Sequence, residues 1–254
     1  MSNTVFLHPE RKRPRLKPFT AMSRMRRLIA NKEDTEQVFH IIEALNGDNL
    51  LKVLERFAAS ENGAKRMVER RQLAPMLDDH SWIEALPEDT VGRAYLRFME
   101  REGLSAQGLV DESDKFHRTD FDDDLKWIGN RLRDTHDLFH VLTGYGRDAL
   151  GEASLLGFSW GQNGGNGVIF ISYMGSRQIR KELPRHIDVM ACHREGKRNG
   201  KAARQIIEED IVALLHEPLA DARQRLNIAK PVAYRKALKQ IAELGDAKDV
   251  LAAA

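Results

Sequence analysis

The chain has 254 residues, 42% apolar, with 40 Lys and Arg against 38 Asp and Glu, enough to bury a core in one large domain or two small ones. Charged residues at 31% and a negative mean hydropathy point to a water-facing surface, and no run approaches the ~18–20 apolar residues of a membrane-spanning helix. Cys192 is the single cysteine, so an internal disulfide and a thiolate-rich zinc site are excluded and a reducing compartment is expected.

Residues 1–30 read as a basic, flexible N-terminal arm. Eight cations (Arg11, Lys12, Arg13, Arg15, Lys17, Arg24, Arg26 and Arg27) stand there without an intervening acid, a pattern suited to phosphate of anionic lipid or nucleic acid. Pro9, Pro14 and Pro18 bar a regular helix before about Phe19, which ranks a mitochondrial transit peptide below a simple basic arm. Aromatic residues are not interleaved with these cations and no recognised module is present, so nucleic acid is not the expected partner. An anionic membrane surface is.

Residues 31–254 read as a single helical domain. Thr35 to Ala59 places Val38, Ile41, Ile42, Leu45, Leu50, Leu51, Leu54 and Phe57 at helical steps, and Asn46-Gly47-Asp48 splits it in two. Gly63 to Leu73 looks helical and closes near Pro75. Leu86 to Gly92 is a turn leading into a helix at Thr90–Glu102. Asp120 is a candidate N-cap for a long helix through Thr143. Further helical periodicity covers 168–182, 199–216 and 231–244, and Val168 to Tyr173 is the only candidate strand. Gly161–Gly167 superficially resembles a phosphate loop, but it follows no strand and lacks the GxxxxGK[ST] order, so it reads as a helix-to-helix turn. The fold class is all-α.

The chemistry concentrates in Arg133-Asp-Thr-His136-Asp137-Leu-Phe-His140 and the Glu152 that follows. On one helix His136 and His140 are separated by about 40°, and Asp137 lies about 60° from His140, so two imidazoles and a carboxylate can converge on one ion. Gly144 is a natural helix stop and Asp148 a natural N-cap for the next helix. A short turn there would return Glu152 to the histidine face, making a metal site between adjacent helices. This sulfur-free donor set suits Zn²⁺ best, while Fe²⁺, Co²⁺ or Mn²⁺ are compatible with the ligand types. A lone HxxxH also arises by chance, its histidines satisfied by hydrogen bonds in a core, so spacing alone leaves both readings open.

These residues match the HDxxH, eleven residues, Glu pattern of the Coq4 family of ubiquinone-biosynthesis proteins. Leu86-Pro-Glu-Asp-Thr-Val-Gly-Arg-Ala-Tyr-Leu-Arg-Phe-Met99 resembles the family's LPxxTxGxxYxxFM stretch, and Glu217 to Ile228 resembles its (E)PLxxxRxxLxI stretch, so the resemblance covers roughly 86–228. The resemblance implies a helical, membrane-peripheral protein with His136, Asp137, His140 and Glu152 as metal ligands and catalytic residues. It also implies a polyprenylated aromatic quinone precursor as substrate and other quinone-biosynthesis enzymes as partners; a homodimer is compatible with it. The implied activity is oxidative decarboxylation, replacing the C1 carboxyl of a 4-hydroxybenzoate-type ring by hydroxyl. The alternative is a non-catalytic, lipid-binding scaffold for a biosynthetic complex. The expected location is the cytoplasmic side of a bacterial inner membrane, or the matrix side of the mitochondrial inner membrane in a eukaryote.

Overall fold

The structure, a computed structural model, describes residues 5–31, 34, 36–115 and 121–244. In chain order its helices are α1 (Pro18–Ala30), α2 (Glu36–Asn46), α3 (Asn49–Ala59), α4 (Glu61–Glu69), α5 (Leu73–Asp78), α6 (His80–Glu84), α7 (Val91–Glu102), α8 (Ala106–Lys115), α9 (Asp124–Asp134), α10 (His136–Thr143), α11 (Ala149–Asn163), α12 (Asn166–Glu182), α13 (Val189–Ala202), α14 (Ile211–His216), α15 (Leu219–Arg225) and α16 (Val232–Ala242). The fold is all-α. Among the described residues the only β pairing is one isolated bridge between Thr90 and Pro218, and Val168–Tyr173, the candidate strand, lies inside α12. No helix of the described residues is long and apolar enough to cross a membrane.

Local chemistry sets the boundaries. Pro18 occupies the first turn of α1, where its missing N–H costs nothing, so the second half of the 1–30 arm carries a helix. Gly47 takes φ 49° and separates α2 from α3 as expected, whereas Thr35 lies outside the described residues. The segment expected as Gly63–Leu73 is instead α4 and the start of α5, divided by Arg70 in the left-handed region, with Pro75 inside the first turn of α5.

The long helix expected to Thr143 is two helices. Asp120 lies outside the described residues; Asp123 is the N-cap of α9, its carboxylate accepting from the Lys126 N–H at 3.0 Å. The break falls at Thr135, the C-cap of α9, where the Arg131 carbonyl accepts both the Thr135 N–H at 3.2 Å and its hydroxyl at 2.8 Å, a back-bond that bends helices. The expected helix at 199–216 is also corrected. α13 ends at Ala202, a 3-10 turn covers Ile206–Glu208, and Asp210 caps a new helix by accepting from Val212 and Ala213 N–H.

The helices gather into two compact units, one of Met1–Arg15, Gly47–Leu142 and Gln205–Leu226, the other of Leu16–Asn46, Thr143–Arg204 and Asn227–Ala254. In the first, α3 packs on α4 and α9, α5 on α8 and α9, and α7 on α6, α14 and α15. Leu54, Phe57, Leu77, Ile83, Tyr95, Met99, Ile128, Leu138 and Leu142 are fully buried there. Arg131 is buried with them. Its Nε donates to the Ile207 carbonyl and its Nη2 to that of Glu209, both at 2.6 Å, while its guanidinium lies over the Phe57 and Trp127 rings. Burial, reinforced by the Arg66 charge, lowers the Arg131 pKa to about 10.

In the second unit α11 crosses α13 almost backbone to backbone. A Cβ on Gly196 would stand 2.2 Å from the Ser154 carbonyl oxygen, and one on Gly200 2.1 Å from that of Phe158. From α11, a Cβ on Gly161 would stand 2.7 Å from the Lys201 backbone nitrogen and one on Gly157 3.2 Å from the His193 carbonyl oxygen. Ala21, Met25, Ile41, Ala44 and Ile171 form a separate cluster where α1, α2 and α12 meet. The buried Glu195 carboxylate accepts from the Ala233 and Tyr234 N–H groups and so fixes the start of α16.

Candidate metal centre

The break at Thr135 decides the geometry of the site. It makes His136 the first residue of α10 and puts Asp137 in the first turn, where the helix dipole favours a carboxylate. His140 follows one turn later, 2% exposed, and Asp137 is 8% exposed. One ligand atom from each of His136, Asp137 and His140 lies within 4.8 Å of the others. The two imidazoles meet edge to face with centroids 5.0 Å apart.

A divalent ion holding each donor at about 2.1 Å spaces tetrahedral neighbours about 3.4 Å apart, so modest side-chain rotations would close this cluster on one ion. Two nitrogens and an oxygen without sulfur match zinc, with iron, cobalt or manganese compatible. The three residues therefore fit a divalent metal.

α7 and α15 hold this helix from two sides. The Phe98 ring stacks on His140 at 5.3 Å and 21°, restricting the imidazole's rotation. Three residues earlier on α7, the Tyr95 hydroxyl is buried and has no hydrogen-bond partner among the described residues. Burial, and then the Asp137, Asp78 and Asp134 charges, raise its pKa far above the ordinary tyrosine value. It is a phenol that keeps its proton. Burial likewise raises the Asp134 carboxyl despite its Arg133 partner.

At the other end of α10, Arg223 of α15 donates from Nε to the Leu142 carbonyl at 2.8 Å and from Nη2 to the Val141 carbonyl at 2.9 Å. These are among the last carbonyls of a helix, which lack intrahelical partners. α15 is in turn fixed to α7: the Val91 N–H donates to the Glu217 carbonyl at 2.9 Å, and the Leu219 N–H to the Asp89 carbonyl at 2.8 Å. Gly92 permits that approach, because a Cβ there would stand 2.6 Å from the Leu86 side chain and 3.0 Å from the Leu215 carbonyl oxygen. The three sequence stretches that stood apart along the chain thus converge around α10.

Glu152 belongs to the second unit, in the first turn of α11. Gly144 ends α10 with φ 76°, and Asp148 caps α11 by accepting from the Gly151 N–H at 3.0 Å, both as expected. The Tyr234 hydroxyl donates to Asp148 and accepts from the Gly146 N–H, which pins the turn before Glu152. Glu152 is half-buried, with its carboxylate 3.8 Å from the Arg147 guanidinium.

A sequence model of the family described as "Coenzyme Q (ubiquinone) biosynthesis protein Coq4" matches residues 16–232. The chain belongs to the Coq4 family. The match begins well before Leu86, where the quoted stretches start, and takes in α1 to α6. "Ubiquinone biosynthesis protein COQ4 homolog, mitochondrial" of Danio rerio is 27% identical over 193 residues, 74% of this chain and 68% of that one. The Homo sapiens homologue is 30% identical over 125 residues, 49% of this chain and 45% of that one. A crystal structure of a Nostoc punctiforme protein named for ubiquinone biosynthesis superposes with a TM-score of 0.64 at 21% identity, over 85% of this chain and 100% of that one. That likeness concerns the fold.

Tyr95, Phe98 and Arg223 were missed as site residues by spacing arguments. Each lies in a quoted Coq4-like stretch, but stacking and carbonyl capping leave no periodic trace.

Proposed function

We propose that this Coq4 protein is a metal-dependent enzyme of ubiquinone biosynthesis. It acts at a membrane surface on a polyprenylated 4-hydroxybenzoate-type acid, breaking the ring–C1 carboxyl bond to release carbon dioxide and forming a C–O bond to a water oxygen, while dioxygen takes the electron pair and two protons to become hydrogen peroxide (ArCO2H + H2O + O2 → ArOH + CO2 + H2O2). The observation that carries the reading is the convergence of His136, Asp137 and His140 on the first turns of α10. These three would hold the ion, and Glu152, twelve residues after His140, would be its fourth ligand or a proton-handling carboxylate. When bound, the metal would supply a Lewis acid that polarises a substrate oxygen.

The chain's own residues do the remaining work. His136 and His140 present imidazole nitrogens, and the stack on Phe98 keeps His140 in its orientation. Asp137 contributes negative charge at the positive end of the helix. Tyr95 retains its phenolic proton and offers it as a hydrogen-bond donor beside Asp137 to an oxygen of the bound acid. Zinc is the favoured ion, with iron, cobalt or manganese as alternatives. Other quinone-biosynthesis enzymes are the proposed partners, at the cytoplasmic face of a bacterial inner membrane or the matrix face of the mitochondrial one.

The test is incubation of metal-loaded protein with a prenylated 4-hydroxybenzoate-type acid and oxygen, followed by mass spectrometry of the ring. The C1-hydroxylated product is expected, and it should be lost in H136A and H140A. No product at full metal occupancy would remove the enzymatic reading. Quinone levels that survive a folded H136A/H140A double variant would favour a non-catalytic scaffold.

A further inference from the structure

Helix α1 is amphipathic twice over. One face is buried: Ala21 and Met25 are 1% and 2% exposed, and Leu28 and Ile29 pack on the same cluster. A second face leaves Phe19 91% and Met22 40% exposed, with Leu16 at 61% just before the helix. These are three of the eight most exposed large apolar side chains among the described residues, and they fall within seven consecutive positions. Phe19, Met22 and Arg26 stand at i, i+3 and i+7, so they share one stripe of the helix. Lys17, Arg26 and Arg27 are exposed beside them. No acid occurs between Leu16 and Ala30, and among the described residues no carboxylate pairs with these three cations.

We infer that the Phe19–Met22 face of α1, with Arg26, Arg27 and the Leu16 and Lys17 that precede the helix, is the surface by which this protein docks on an anionic lipid bilayer. The inference deepens the membrane-surface part of the reading above by naming the residues that make the contact. Apolar side chains set among cations on one helical face are the two signals that stable interfacial binding requires. Phe19 and Met22 enter the boundary between headgroups and acyl chains, while the arginines and the lysine stay at the level of the lipid phosphates. Charge argues against a second copy of the chain as the occupant. A two-fold contact through this face would set the same cations against each other, whereas an anionic surface complements them. Each cation near such a surface strengthens partitioning roughly fivefold.

Sedimentation of the full-length protein with phosphatidylcholine vesicles, with and without phosphatidylglycerol, tests this without metal or substrate, so failure of the enzymatic reading would leave the result standing. All substituted positions are exposed, and circular dichroism checks that the variants keep the parent fold. The expected result is binding to the anionic vesicles that far exceeds binding to neutral ones. R26Q/R27Q should weaken it by about 25-fold, and F19S/M22S should abolish stable sedimentation. Equal binding to both vesicle types, or parental binding by both variants, would overturn the inference. So would light scattering that shows a dimer dissolved by F19S/M22S in a protein that binds no vesicles.

Discussion

Arg223→Met isolates the contribution of α15 to the site helix. Arg223 places two N–H donors on the Leu142 and Val141 carbonyls, and methionine keeps much of the side-chain volume while removing both. Hydrogen bonds from a charged group contribute about 1.5–3 kcal/mol each. Arg223 is half-buried, so water partly replaces it and the lower end of that range applies. The expected loss is about 3 kcal/mol for the pair, which at an m-value of about 2–3 kcal/mol/M lowers the urea midpoint by about 1 M. Arg223→Lys retains a cation near the C-terminus of α10, an interaction of about 0.3–1 kcal/mol, but not the two-pronged contact, so it should fall between parent and R223M. Because the carbonyls belong to α10, R223M should also weaken zinc binding, by about tenfold if about 1.4 kcal/mol of the helix's order is lost. An R223M midpoint within about 0.2 M of the parent would refute the claim that this arginine holds the helix.

Gly200→Ala forces a methyl to within 2.1 Å of the Phe158 carbonyl oxygen; overpacking of this kind should cost about 3 kcal/mol in a urea titration, whereas G103A, with open space around its Cβ, bears only the backbone cost of φ 65°. Burial pushes the Asp123 carboxyl up, but the Arg11 side chain and the Lys126 and His8 N–H groups outweigh it and hold it below the ordinary value. The stabilisation is therefore present above about pH 4 and lost as pH falls through the lower folded value. D123N keeps an N-cap-competent side chain and should show a flatter acid limb than the parent when stability is followed from pH 5 to pH 2.5; an unchanged limb contradicts the assignment. Tyr95→Phe should leave zinc affinity within a factor of two and cut turnover by roughly ten- to a hundred-fold, the worth of a hydrogen bond to a charged group, so parental turnover would exclude the phenol from the reaction.

Helix identity along much of the chain was legible because amphipathic periodicity and capping residues agree. Gly144 and Asp148 act as read from the sequence alone, and the helix read from Thr90 starts at Val91 with Thr90 as its N-cap. The failures have a common cause in local competition that periodicity does not register. Thr135 ends α9 within a stretch of unbroken apolar pattern, its hydroxyl and N–H both on the Arg131 carbonyl, and Asp210 starts a helix inside one that the pattern would continue. α13 was legible only at its end, since its core-facing positions include Cys192, Gly196 and Gly200 in place of large apolar residues.

For the site, the i, i+1, i+4 spacing on one helix puts ligand atoms of His136, Asp137 and His140 within 4.8 Å of one another. Glu152 depended on a turn and a second helix, and the structure places it in the other unit. The framing by Phe98 and Arg223 is a tertiary matter: neither an aromatic stack nor a fork on carbonyls constrains the positions of its partners along the chain.

The account is tested most directly by titrating chelator-treated protein with zinc in a calorimeter, alongside folded H136A and H140A. One ion per chain bound by the parent, with affinity lost by at least about a hundredfold in either variant, is the expected result. A parent that binds no ion, or variants that bind it as tightly as the parent, would contradict the assignment of α10 as the metal-holding helix.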